Sequence, residues 1–175
     1  MTRELEFIDL SVSSGDQRLL SEARGALRAG ELVAVVGRSG SGKTLLTKAI
    51  IGLLPQQLRA EGKILLDGQR LDQLDEKAMD SVRGRRISML FQQPKRVMNP
   101  RLTIRAHLLE ALGAHGWGKA RQHEDRVLSL LEEVGLSPAK QIAGKRPDQL
   151  SGGMAQRAML AIALAADPEF ILADE

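Results

Sequence analysis

Eight consecutive residues, Gly37-Arg38-Ser39-Gly40-Ser41-Gly42-Lys43-Thr44, restrict what this chain can fold into more than any other feature of it. They match the pattern G-x-x-x-x-G-K-[ST], and their surroundings suit that pattern. Before them runs Glu31-Leu32-Val33-Ala34-Val35-Val36, a short β-branched stretch that predicts a buried strand. After them Leu45, Leu46, Ala49, Ile50 and Leu53 recur at helical spacing until Gly52 and Pro55 end the pattern. In a strand–loop–helix unit the glycines let the backbone curl, so that successive N–H groups face inward at the positive end of a helix dipole. A triphosphate is the natural occupant of such a nest. Lys43 then reaches the outer phosphates as a point charge, and the Thr44 hydroxyl is placed to ligate Mg²⁺. Detached from strand and helix, the same residues would read as a flexible glycine and serine loop. The loop alone leaves a small-molecule kinase or a GTPase open.

Composition narrows the classes further. At 175 residues, with 43% hydrophobic and 27% charged side chains, the chain can bury one substantial core but has little room for a second full domain. A formal charge of only +3 means that any basic surface must come from local clusters. Aromatic residues make up 2%, so the stacking platforms that single-stranded nucleic acid requires are scarce. Nucleic acid is therefore not expected as a partner. Cysteine is absent, which removes disulfides, thiolate metal ligands and a cysteine nucleophile. The longest apolar stretches, around Ala49 to Pro55 and Met159 to Ala166, fall well short of the ~20 residues a spanning helix needs. The opening Met1-Thr2-Arg3-Glu4-Leu5-Glu6 is acidic where a secretory signal is basic and then apolar, so the chain is expected to stay in the cytoplasm.

Along the chain, Leu5, Phe7, Ile8, Leu10 and Val12 alternate as a first strand does. Lys63 to Leu66, followed by Asp67-Gly68, predicts a strand and tight turn, and Ile87 to Phe91 a strand ahead of Gln92-Gln93-Pro94. From Thr103 to Leu136 the pattern turns helical, with Ile104, Leu108, Leu109 and Leu112, then Val127, Leu128, Leu130, Leu131 and Val134 before Gly135. Between these helices, Gly113 to Lys119 is expected to be an exposed connector. Ser151 is placed to cap a small-residue helix reaching about Ala166, Asp167-Pro168 ends it, and Phe170-Ile171-Leu172-Ala173 follows as an apolar strand tipped by Asp174-Glu175. The expected organisation is one α/β domain. Its nucleotide-binding core, with a mostly parallel sheet, spans 1–94; a helical insert covers 95–157; and 158–175 returns to the core.

The two terminal acids complement the loop. The carboxyl end of a strand in a parallel sheet lies beside the phosphate loop, so Asp174 can hold Mg²⁺ through water and Glu175 can orient or deprotonate an attacking water. Alone, the pair would read as two solvated acids. Leu150-Ser151-Gly152-Gly153-Met154-Ala155-Gln156-Arg157 adds another exposed helix N-terminus suited to phosphate, although by itself it is an ordinary cap. The order of phosphate loop, Gln92, this L-S-G-G segment and Asp174-Glu175 resembles the ABC ATPase family, with Met154 at the signature's usual glutamine position. The resemblance implies a P-loop NTPase core carrying a helical subdomain, with ATP and Mg²⁺ as cofactors. It also implies a head-to-tail dimer, in which Ser151, Gly152 and Gly153 bind the γ-phosphate of nucleotide held by a second ABC ATPase subunit. Gln92 takes the part of the residue that contacts Mg²⁺ and water and couples nucleotide state to the helical subdomain.

Gly52-Leu53-Leu54-Pro55, Arg86 to Gln92, Asn99-Pro100 and Ser151 to Met154 are similar to the oligopeptide, dipeptide and nickel importer branch. That likeness implies a peripheral motor on the cytoplasmic face of the membrane, driving transmembrane permease subunits, with an extracytoplasmic solute-binding protein as an indirect partner. A soluble family member acting on nucleic acid or ribosomes, and a fragment that only binds nucleotide, are the alternatives.

Several positions depart from the family pattern. The family commonly stacks adenine on an aromatic residue ahead of the phosphate loop, where Ser13 to Arg18 offers only the guanidinium plane of Arg18. Gln93 and Ala155 stand where relatives often carry charge. The family continues past Glu175 with a D-loop and a switch histidine, so the domain is expected to be incomplete, with an uncovered sheet edge at its last strand. His107, His115 and His123 lie in the helical insert and are expected to be solvated. Arg83, Arg85 and Arg86 are expected to form a solvated basic face, and Trp117 either docks on a partner or packs locally.

Overall fold

Alternating apolar residues near the start of the chain build the larger of two sheets. In the computed structural model, which describes residues 3–174, β1 (Glu4–Ser14) forms a hairpin with β2 (Gln17–Arg28) across a turn at Gly15-Asp16. On its other side β1 pairs with β3 (Arg59–Leu66), and after the Asp67-Gly68 turn the two-residue β4 (Gln69–Arg70) completes the order β2-β1-β3-β4, antiparallel throughout. Leu5, Leu10, Val12, Ile64 and Leu66 are buried. The helix α1 (Lys43–Ile50) packs on β1 and β2, with Leu46, Ala49 and Ile50 as its buried stripe. α2 (Glu76–Val82) starts at Asp75, whose side chain accepts from the Ala78 N–H at 2.8 Å. These elements form one compact unit, which Asp174 joins.

Residues 84–173 form a second unit. Its strands β5 (Ile87–Leu90) and β6 (Phe170–Ala173) pair in parallel, Ile87 opposite Phe170 and Leu90 opposite Ala173. Its helices are α3 (Pro94–Val97), α4 (Ile104–Ala114), α5 (His123–Glu133), α6 (Ala139–Ala143) and α7 (Gly152–Ala163). Leu108, Leu112, Val127, Leu130, Leu131 and Ile142 make an apolar centre. The buried Ala155, Ala158 and Ala161 let α7 approach α4 and α5 closely. Among the described residues no helix is long and apolar enough to cross a membrane.

The expected buried strand at Glu31 to Val36 is overturned. The run forms no regular strand and is exposed throughout, Leu32 by 99% and Val36 by 91%. A strand persists only where its N–H and C=O groups find partners. Here the run is hydrogen-bonded into neither of the described sheets. Composition alone does not decide the outcome, because a strand needs a pairing partner.

The expected solvated histidines and basic face are also corrected. His107 bridges the Thr103 carbonyl at 2.9 Å and the Asn99 N–H at 3.0 Å, and His123 Nε2 lies 2.8 Å from the Trp117 carbonyl. Arg86 pairs with Glu169 at 2.7 Å, while Arg83 is 15% exposed and ion-paired to Glu76 and Asp80. Trp117 packs locally: its Nε1–H donates to Asp167 Oδ2 at 2.8 Å, and the Arg126 guanidinium sits 5.4 Å from its ring centroid.

His115 sits against Gly84. Burial, and secondarily the nearby Arg85 charge, pull its pKa below the ordinary 6.5. Since the folded value is the depressed one, the contribution is complete above pH 6.5 and is lost as pH falls through the folded pKa. Thermal midpoints should therefore drop as pH is lowered from 7 to 5, and His115→Gln should flatten that slope; equal slopes would count against this account.

Candidate functional site

The glycine-rich loop takes its shape from two left-handed residues, Gly40 at φ 79° and Gly42 at φ 93°, conformations that glycine adopts without steric cost. Between them Ser41 donates its N–H to the Arg38 carbonyl at 3.1 Å, while Arg38 and Ser39 stay exposed. A Cβ on Gly37 would stand 2.6 Å from Ser41 Oγ, so a side chain at the start of the loop would require that hydroxyl to turn away. From behind, β2 supports the loop, since a Cβ on Gly42 would meet Leu20 Cδ1 at 3.2 Å. Gly42 is the N-cap of α1 and no side chain caps that end. The first-turn N–H groups and the positive end of the helix dipole are thus directed at the loop. The Lys43 ammonium folds over the loop, donating to the carbonyls of Gly37 at 2.9 Å and Arg38 at 3.1 Å.

Asp174 reaches the same place from the far end of the sequence. The Thr44 hydroxyl donates to Asp174 Oδ1 at 2.7 Å across 130 positions, and Asp174 is only 9% exposed. A hydroxyl and a carboxylate are hard oxygen donors of the kind Mg²⁺ takes, and the glycine nest with its ammonium suits a polyphosphate. The residues present therefore fit both groups.

A second cluster forms within the other unit. Gln92, Gly152 and Gly153 line one groove of about 1010 Å³, together with Phe91, Gln156 and Arg157. The Ser151 hydroxyl accepts from the Met154 N–H at 3.2 Å and so caps α7 as the sequence predicts. Gly152 and Gly153 are exposed, and a Cβ on either would meet nothing within 4 Å. Their smallness answers no demand of packing inside the chain and leaves the helix end open to close approach. Ala155, 1% exposed, faces the helical core, and Gln93 at φ 60° forms the N-cap of α3. Arg18 lies exposed on β2. Glu175 lies outside the described residues.

The sequence profile described as ABC transporter matches residues 20–175. The chain belongs to the ABC transporter family. It is 44% identical over 151 residues to the oligopeptide transport ATP-binding protein OppD of Lactococcus lactis subsp. cremoris, a match covering 86% of this chain and 45% of the relative. To the metal-staphylopine import system ATP-binding protein CntD of Staphylococcus aureus it is 38% identical over 160 residues, covering 91% and 59%. To the dipeptide transport ATP-binding protein DppD of Escherichia coli it is 37% identical over 172 residues, covering 95% and 52%. The chain thus spans about half the length of these curated relatives.

Among solved structures, an ATP-binding subunit of an ABC transporter superposes with a TM-score of 0.78 at 31% identity, over 98% of this chain and 65% of that one. A dimeric ATP-binding cassette in a post-hydrolysis state, bound to ADP and Pi, gives 0.83 at 28%, over 97% and 72%. The fold is that of this family's P-loop ATPase domains with a helical subdomain.

Two features of the family fold here escaped the sequence. Leu20, on a strand with little alternation, backs the phosphate loop, and Arg83 reaches the other end of α1. An arginine within a basic cluster carries no pattern that marks such a contact.

Proposed function

We propose that this chain is the ATP-binding and hydrolysing part of an ABC importer's motor, of the peptide or nickel type. The supporting observation is the 2.7 Å contact between Thr44 and Asp174, two hard oxygen donors of the kind Mg²⁺ takes, at the end of an uncapped helix beside the glycine nest. In this reading the backbone of Gly37 to Thr44 and the Lys43 ammonium hold the phosphates, Thr44, Asp174 and Gln92 serve the metal, and Glu175 orients the attacking water. Bound Mg²⁺ would neutralise charge developing on the transferred phosphoryl group. Ser151, Gly152 and Gly153 act on nucleotide held by a second subunit, head to tail. Their exposure and the open space above the two glycines support that reading. From the cytoplasmic face of the membrane the motor drives transmembrane permease subunits, and an extracytoplasmic binding protein supplies the cargo. Names of relatives that handle oligopeptide, dipeptide and metal–staphylopine cargo favour this branch.

Mixing two inactive variants tests the arrangement. Lys43→Ala removes the phosphate lysine, and Gly153→Asp places an acid where phosphate would approach. If the signature acts in trans, a heterodimer of the two has one intact site and one doubly damaged site. An equal mixture should then regain about a quarter of wild-type phosphate release, because half the dimers are mixed and half their sites are whole. No recovery, with dimers present by sedimentation, would refute action in trans.

A further inference from the structure

The helix that opens at the phosphate loop is short, and its far end is held by a residue to which the proposed function assigns nothing. α1 has eight residues, roughly 12 Å of helix, too short to be stable without packing. Its C-terminal carbonyls carry the negative end of the dipole and need partners. The chain supplies some itself: the N–H of left-handed Gly52 (φ 69°) reaches the Ala49 carbonyl at 3.1 Å, and that of Leu53 reaches Lys48 at 2.8 Å. The two carbonyls just past the last helical residue are taken by one guanidinium. Arg83 Nε donates to Ile51 O at 3.0 Å and Nη2 donates to Gly52 O at 3.0 Å.

That guanidinium is fixed in its turn. It is ion-paired to Glu76 and lies 3.3 Å from Asp80, both on α2, and its side chain is 15% exposed. A Cβ on Gly52 would come within 3.1 Å of Nη2, so the glycine also gives the arginine its seat. A planar fork with several donors suits two neighbouring carbonyls and two carboxylates at once; a lysine keeps the charge but has three donors and no fixed fork, so it cannot match all four partners together. Charge-assisted bonds at the negative end of a helix are the strongest available there.

We infer that Arg83 is a positioning residue for nucleotide: by seating the C-terminal end of α1 against α2, it holds the helix whose first turn carries Lys43 and Thr44. Eight residues move nearly as a rigid rod, so slack at Gly52 appears at Gly42. The inference rests on the reading that the loop holds nucleotide phosphates.

Equilibrium titration of the chain with Mg-ATP and, separately, with Mg-tripolyphosphate tests it. Arg83→Gln should weaken both by the same factor, about three- to tenfold, since the lost cap acts through the phosphate loop and not through a base site. Arg83→Lys, keeping the charge but offering three donors to four acceptors, should fall between wild type and R83Q. A residue that only stabilises the fold would lower the melting midpoint and the binding-competent fraction, but leave the dissociation constant of the folded fraction unchanged. Wild-type affinity in R83Q, or a loss for ATP without one for tripolyphosphate, overturns the proposal. Should R83Q not fold, wild-type affinity in R83K overturns it by itself. If the unaltered chain binds neither probe, the nucleotide reading falls and this inference falls with it.

Discussion

Lys43→Ala is expected to lower Mg-ATP affinity by roughly 10- to 100-fold, the worth of about 1.5–3 kcal/mol for hydrogen bonds to a charged partner. Turnover should fall further, by roughly 100- to 1000-fold, as it does when a preorganised charge donor is removed from a transition state. The fold should survive, because among the described residues the Lys43 ammonium bonds only to the exposed loop carbonyls of Gly37 and Arg38. Loop N–H groups and the α1 dipole remain in the variant, so residual binding is expected and its complete loss is not. Calorimetric titration gives the first number, phosphate release the second, and the unchanged melting midpoint separates both from unfolding. Equal affinity in wild type and variant would remove Lys43 from the phosphate site and leave its two carbonyl bonds as a strut within the loop.

The phosphate loop was legible because its requirements are local. Left-handed glycines, a helix beginning at the lysine and a threonine one residue on can all be read from eight letters, and the structure realises each of them. Ser151 was legible for the same reason, since a cap depends on its own next three residues. Strand pairing is not local. Glu31 to Val36 has the composition of a buried strand, yet its fate depends on pairing, and it is hydrogen-bonded into neither of the described sheets. β2 failed in the opposite direction: its sequence hardly alternates, but β1 pairs with it along its length, and Phe7 covers the glycine at position 25. The contact between Thr44 and Asp174 was expected only in outline, from the rule that strand ends lie beside the loop. Arg83, His107 and His123 were misjudged because charge and polarity in a sequence suggest solvent, whereas these side chains spend polar atoms on backbone and carboxylate groups brought near by folding, and for Trp117 the structure takes the local-packing alternative.

Gly84→Ala should produce the largest loss of stability, and the reasons can be separated by experiment. Gly84 has φ 73°, in the left-handed region, within a turn closed by its N–H to the Ile87 carbonyl at 2.8 Å. A side chain there is strained whatever surrounds it, by about 1 kcal/mol. A methyl group would also overlap the imidazole of His115, and relieving that overlap means displacing a partly buried ring from the end of α4. Overpacking of this kind adds about 1–3 kcal/mol, for a total near 2–4 kcal/mol and a fall in melting midpoint of roughly 5–15 °C in a chain of this size. Urea unfolding of Gly84→Ala, His115→Ala and the double variant distinguishes the two contributions. With the ring gone the overlap disappears but the dihedral strain stays. The glycine substitution should then cost about 1 kcal/mol in the His115→Ala background and two to four times that in the native one. Equal costs in both backgrounds would mean that His115 yields freely and that dihedral strain alone accounts for the glycine.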